Sequence, residues 1–344
     1  MTHQELPSYD QAPAGAIRFN TDSRKLEVYC GGPVGFGTTT ITGAWYQIDS
    51  FTPDTATGGT RGVFSGGNTT PGNTNTIDYV TISTTGNAAD FGDLYSTGNA
   101  SSSCSSSTRG VTGGGFPATN VIQYITISST GNSQDFGDLT QARYYLSSLS
   151  NATRGLFGGG SINPAGTVYN IIDYITIAST GDARDFGDLS ALKYTMATCS
   201  NSTRGIFAGG VTSTNVIEFI TISTLGNIAD FGDLTVSRSS LAGCSNAIRG
   251  LFGGGSVPGG DVVDYITIAS IGNAIDFGDL TQVRNNMGSC SSQTRGIWGG
   301  GYAPGAVNTI DYVNISSTGD AVDFGDLSAG RDSLGGLSNG HGGL

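Results

Sequence analysis

The segment 154–189 reads RGLFGGGSINPAGTVYNIIDYITIASTGDARDFGDL and holds one unit of a pattern that runs through most of the chain. Its last block, DFGDL, occurs six times, beginning at Asp90, Asp135, Asp185, Asp230, Asp276 and Asp323, in steps of 45 to 50 residues. Its first block, Arg-Gly after Thr or Ile, places Arg61, Arg109, Arg154, Arg204, Arg249 and Arg295 at one phase. A glycine pair such as Gly66-Gly67, Gly158-Gly159 or Gly299-Gly300 follows each time. Self-similarity at a fixed period of this length marks a repeat architecture.

Each unit divides into four short strands, A to D. In the third unit, A is the small-residue stretch Leu146 to Ser150 and B starts at Arg154. Strand C is the apolar run Ile171 to Ala178, and D lies around Asp185 to Leu189. Strand C is apolar at nearly every position, which predicts burial on both faces. The Ser179 to Ala183 link has hairpin chemistry. Four strands per unit and six units predict an all-β, six-bladed propeller. The first unit begins at strand B, and the C-terminal SLGGLSNGHGGL aligns with LSSLSNATRGL of the third unit. Ser333 to Asn339 is therefore expected to supply strand A of the first blade, a C-terminal strand closing the ring.

The composition fits. Gly numbers 56 of 344 residues, but Ile, Val, Phe and Tyr are interspersed throughout, unlike a collagen or a disordered linker. No apolar run approaches the roughly 18 residues of a membrane span, and MTHQELPSYD lacks the apolar core of a signal peptide. A net charge of −12 argues against nucleic acid, which needs a basic surplus. Neither nucleic-acid binding nor membrane insertion is expected.

The repeats resemble the kelch family of propellers. That family has a glycine pair ending the second strand, Tyr in the third, an aromatic in the fourth and a basic residue before the next repeat. Here those positions are Gly158-Gly159, Tyr174, Phe186 and Lys193, with Tyr79, Tyr124, Phe219, Tyr265 and Tyr312 and Phe91, Phe136, Phe231, Phe277 and Phe324 elsewhere. The basic residue recurs as Arg143, Arg238, Arg284 and Arg331, while Gly98 takes its place once. The resemblance spans about 55–344 and implies architecture rather than activity.

Most charge follows the period. The RG arginines, the basic residues before strand A and the two Asp of each DFGD predict ion pairs and backbone hydrogen bonds repeated in every blade. A ring of Asp residues binding cations such as calcium is the alternative. DFG without a catalytic loop or a β3 Lys excludes a kinase, and the glycine runs open no helix with Lys-Ser/Thr. Cys104, Cys199, Cys244 and Cys290 share a slot with Leu149 and Leu337, so they read as buried free thiols. The strand B aromatics Phe64, Phe157, Phe207, Phe252 and Trp298 read as core. His3 and His341 sit at the chain ends with no nucleophile motif or metal spacing. Asp261 and Asp332 are among the few acids outside the repeat. No enzyme, cofactor or metal is expected.

Binding is expected on the B-to-C loops, the segments that vary most between units, which should share a face with the D-to-A loops. Their candidate contacts are Asn73, Asn75, Asn120, Asn163, Tyr169, Asn215, Asp261, Tyr302 and Asn308. Residues 1–50 form a separate unit from the propeller of 51–344, with expected strands Ala16 to Asn20, Lys25 to Cys30 and 44–48. The string GAIRFNTDSRKLEVY followed by Trp45 resembles a hairpin unit of tailed-bacteriophage virion and tail-fibre proteins, notably of marine phages. That resemblance implies docking on the particle, with Arg18, Phe19, Tyr29, Trp45 and Tyr46 as candidates.

Together these imply a non-enzymatic virion component, assembled in the host cytoplasm and present in multiple copies on a symmetric particle. The N-terminal piece would bind other virion proteins, and the propeller would present loops to a host-surface glycan or protein. A capsid or tail decoration protein touching only virion partners, and a cytoplasmic kelch-type adaptor, are the alternatives.

Overall fold

The computed structural model describes residues 16–20, 25–30, 44–47 and 60–343, except 71, 163–165, 212 and 257. The chain divides into two compact units, Met1–Ala56 and Thr57–Leu344. In the first, Ile17–Asn20, Lys25–Cys30 and Ala44–Gln47 form an antiparallel sheet in sequence order. Among the described residues every regular element is a strand.

The second unit is a six-bladed propeller of four-stranded antiparallel sheets. In the third blade, strand A is Ser147–Ser150, B Arg154–Gly158, C Ile171–Thr176 and D Arg184–Asp188, each paired with the next. Strand C stops at Thr176, short of Ala178, because the Ser179 amide turns back to the Thr176 carbonyl. The first blade is composite. Its strand A is the C-terminal Gly335–Ser338, which pairs with Arg61–Ser65 in register Leu337 to Val63. As the repeat phase predicts, the ring closes by joining its two ends.

The core lies between blades. Leu149, Leu156, Ile172, Phe186 and Leu189 of the third blade meet Phe207, Ile220 and Ile222 of the fourth in one buried cluster, and equivalent clusters fill the other gaps. The strand B aromatics are all buried. The four repeat cysteines are free and buried, and burial pushes the Cys104 thiol up to about 12. Their slot has a partner. A Cβ on Gly155 would lie 2.7 Å from the Cys104 Sγ of the preceding blade, and one on Gly110 would lie 2.7 Å from Leu337. The glycine of each RG block is the hollow that receives this side chain.

Hydrogen bonds circle the ring at several radii. Each RG arginine stacks on the aromatic ring of its own strand C, as Arg154 does on Tyr174 at 4.7 Å, and donates to a carbonyl of the next blade, here Ile222 at 2.9 Å. The series runs from Arg61 and Ile127 to Arg295 and Ile82, which crosses the closure. Outside, each C-to-D link docks on the preceding blade: the Gly181 amide donates to the Phe136 carbonyl, and the Asp182 carboxylate accepts from the Asp138 amide. Gly137 (φ +146°) is needed there, since a Cβ would meet the Gly181 backbone at 2.5 Å.

The ion pairs differ from the expected Arg–DFGD set. The basic residue before strand A turns into the following blade and meets a strand C carboxylate. The pairs are Arg143–Asp173, Arg238–Asp264, Arg284–Asp311 and Arg331–Asp78 at 2.6–2.7 Å, and Lys193–Glu218 at 2.8 Å. All these side chains are buried. The DFGD carboxylates take part in none of them; the DFGD backbone, pressed against the next link, is what the repeat preserves. Burial lowers the guanidinium pKa of Arg143, Arg238, Arg284 and Arg331, and the adjacent carboxylate opposes that. In the second blade Gly98 replaces the base and Gln123 the acid, so neither charge is left alone where an unpaired one is costly. Ser133, standing where the third blade has Ala183, donates to Gln123 at 2.7 Å.

Candidate functional site

The innermost strands surround a channel with a cavity volume of about 170 Å³. Its lining includes Ser103, Ser148, Thr198 and Ser289, and it carries no Asp, Glu, Lys or Arg. Two hydrogen-bond rings define its ends.

At the base, six serine hydroxyls donate to the serine carbonyl of the preceding blade. The cycle runs Ser105 to Ser338, Ser150 to Ser105, Ser200 to Ser150, Ser245 to Ser200, Ser291 to Ser245 and Ser338 to Ser291, at 2.5–2.7 Å. His341, from the turn after the closing strand, lies half-buried against this ring. Its Nδ1 accepts from the Gly343 amide at 3.0 Å, and its Nε2 faces the Ser105 carbonyl at 3.1 Å. These partners fix the neutral tautomer with the proton on Nε2. Burial holds its pKa down at about 4.

At the opposite end, the mouth, Ala100, Tyr145, Thr195, Ser240, Asn286 and Ser333 all have φ between +54° and +58°. Their amides form a second cycle, each donating to the equivalent carbonyl of the preceding blade, from Ala100 to Ser333 round to Ser333 to Asn286. The left-handed region costs a non-glycine residue about 1–2 kcal/mol. The architecture demands that conformation here six times.

The B-to-C loops flank the mouth and share its face. Asn99 bridges Phe116, Tyr144 bridges Ser161 and Asn285 bridges Tyr302, each a D-to-A residue paired with a B-to-C residue. An aromatic chain crosses this face. Phe116 meets Tyr144 edge-on at 5.3 Å, Tyr144 meets Tyr145 at 5.1 Å, and Tyr145 lies near-parallel (29°) to Tyr194 at 6.2 Å. Beside it, Asn73 donates to the Phe116 carbonyl at 3.1 Å and accepts from the Asn99 amide group at 2.7 Å.

Of the residues expected from sequence, Asn73 and Tyr302 sit at this inner rim, and Tyr302 is exposed. The Tyr169 amide donates to the Gly160 carbonyl beside the rim. Asn75, Asp261 and Asn308 stand at the outer end of their loops, where their carbonyls accept from Leu94, Leu280 and Leu327. Asn120 and Asn215 already belong to strand C, in Thr119–Thr126 and Thr214–Thr221. Asn163 lies outside the described residues. The loops do not gather the eight described candidates into one place. The residues that do converge, Tyr144, Tyr145, Tyr194, Asn99, Asn285 and Asn286, belong to the D-to-A joints; the Tyr-Tyr pair directly after Arg143 was the signal for them.

In the N-terminal unit, Arg18 pairs with Glu27 at 2.7 Å and Tyr29 is buried. Phe19, Trp45 and Tyr46 occupy strand positions, and their side chains lie outside the described residues, as does that of Cys30. Among the described residues no three His, Cys, Asp or Glu side chains gather where they could hold a metal. Compared with known proteins, the chain matches no family model and no curated protein.

Proposed function

We propose that the chain is a non-catalytic recognition component of a tailed-phage virion. In this reading the propeller presents its mouth face to a host surface, and the N-terminal sheet docks to other virion proteins. The observation that carries the recognition half is the concentration of unlike side chains at the mouth of an otherwise six-fold scaffold. Arginines, glycines and serines repeat from blade to blade because they build the ring. Phe116, Tyr145 and Asn286 each have no counterpart in the other blades, the slot that holds Tyr144 and Tyr194 holds Asn99, Ser239, Asn285 and Asp332 elsewhere, and these positions share one face. A rigid scaffold bearing variable loops is the usual arrangement of recognition sites.

Apart from the buried Asp332, the side chains described at the mouth are aromatic, amide and hydroxyl groups, suited to binding rather than to proton or acyl transfer. His341, the one imidazole lining the channel, is engaged at both nitrogens. The virion half rests on the likeness of the GAIRFNTDSRKLEVY string to phage hairpin units. The test is saturable binding of the fluorescent full chain to a panel of bacterial cells, repeated after exchange of the 115–120 and 302–309 loops. Binding lost on exchange supports recognition by this face. Binding that survives both exchanges, or none at all, overturns it. Mass spectrometry of purified particles decides the virion assignment.

A further inference from the structure

We infer that the channel mouth is a subsite for an uncharged saccharide, which packs against the Tyr145–Tyr194 pair and hydrogen-bonds to the surrounding amides and hydroxyls. This rests on the reading of the mouth as the recognition face and names its ligand class.

Backbone strain marks the place. Elsewhere in the repeat, Ser213 (φ +54°) apart, a left-handed backbone is given to glycine: Gly159 (φ +64°), Gly160 (+106°), Gly181 (+150°) and Gly187 (+150°) serve one blade. At the mouth, six left-handed positions carry Ala, Tyr, Thr, Ser, Asn and Ser instead. The β-branched Thr195 and the bulky Tyr145 are the least suited of these to that region. In a chain so rich in glycine, side chains kept there at a conformational cost are kept for what they contact.

The departures from six-fold symmetry give the chemistry. Aromatic rings cluster on the second to fourth blades, and Asn73, Asn99, Asn285 and Asn286 stand round the same opening. A flat ring beside paired amide donors and acceptors suits a sugar, which has a C–H face and a rim of hydroxyls. Below the rings, the Ser101 Oγ and Thr195 Oγ1 line the channel, are buried and have no protein partner. The cavity beneath has room for several waters, which a hydroxyl-rich ligand replaces bond for bond.

Charge narrows the class. Among the described residues of the propeller no free cation reaches the mouth: the RG arginines sit at the far end of strand B, and the bases before strand A are buried in ion pairs. With a net charge of −12, the chain repels anionic glycans and phosphates. Asp332, the single acid at the rim among the described residues, is buried and accepts from Ser333. A neutral ligand remains.

The test titrates the full chain with neutral gluco-, manno- and galacto-oligosaccharides, with a sialylated oligosaccharide and tetramethylammonium as controls, by calorimetry and saturation-transfer NMR. At least one neutral probe is expected to bind saturably. Tyr145→Asn, which tolerates the left-handed region, and Tyr194→Ala should each weaken it at least about tenfold with little change in Tm. The exposed Tyr95→Ala should leave it unchanged. The inference falls if no neutral probe binds, if only a charged control binds, or if both mouth variants bind like the parent. Should cells still bind the chain through the mouth face while every neutral probe fails, the ligand class is wrong and the recognition face stands. If cells fail too, both fall.

Discussion

The Ser105 hydroxyl donates to the Ser338 carbonyl across 2.6 Å, joining residues 233 apart in sequence. This is where the inner cycle crosses from the second blade to the closing strand. Leu337, beside it, fills the hollow above Gly110. Leu337→Ala should therefore cost about 2–4 kcal/mol, and Ser338→Ala about 1 kcal/mol, both read from urea midpoints. An unchanged midpoint for Leu337→Ala would show that closure does not hold the ring.

Arg284→Gly leaves the buried Asp311 without its cation and should cost about 3–5 kcal/mol. The second blade shows how to remove the pair harmlessly, with Gly98, Gln123 and Ser133 at the corresponding positions. The triple variant Arg284→Gly, Asp311→Gln, Ala321→Ser should regain much of that loss in the same denaturation assay. A triple variant no more stable than the single one would refute the substitution logic.

Gly155 and Cys104 fit as a hollow and a knob. Gly155→Ala should destabilise by about 1–3 kcal/mol through overpacking, and adding Cys104→Ala should restore part of it. A double-mutant cycle should give a coupling of about 0.5–3 kcal/mol. Strict additivity would show that the two do not share the space.

His341 makes stability fall on the acid side. The folded chain holds it neutral down to about pH 4, whereas the exposed imidazole of the unfolded chain takes its proton near 6.5. The contribution is intact above pH 6.5 and is lost as pH drops through this window, reaching on the order of 3 kcal/mol at pH 4. Protonation of Nδ1 would also point a proton at the Gly343 amide, so the 340–343 tail is expected to leave first. Hydrogen exchange of those amides across pH 4–7 checks it. His341→Gln should remove this component, and a parallel acid loss in both proteins would count against the assignment.

The period was readable because each unit shows the same residues at the same phase, and phase alone placed Ser333 to Asn339 as the missing strand. Phase does not name neighbours. Arg154 and Asp185 repeat together yet never pair, whereas Arg143 finds Asp173 only because strand A turns it into the next blade. The Asp, Glu or Gln before each strand C aromatic also kept phase, hidden within an apolar run. The mouth was harder to see. Nothing in Tyr145 or Asn286 announces a left-handed backbone, since the ring rather than the residue imposes it. The B-to-C loops vary most between units, and their outer ends are fixed to strand D, which sets Asn75, Asp261 and Asn308 apart from the opening.

The closing strand also sets a timetable. Strand B of the first blade, Arg61–Ser65, is among the earliest propeller segments to leave the ribosome, and its partner Gly335–Ser338 is among the last. Five blades can be stacked by nearest-neighbour contacts while that edge waits unpaired. A nascent chain stopped before residue 335 thus carries an open strand edge, the kind that recruits other chains. Emergence of the closing strand Gly335–Ser338, rather than of any single blade, is the event that covers this edge.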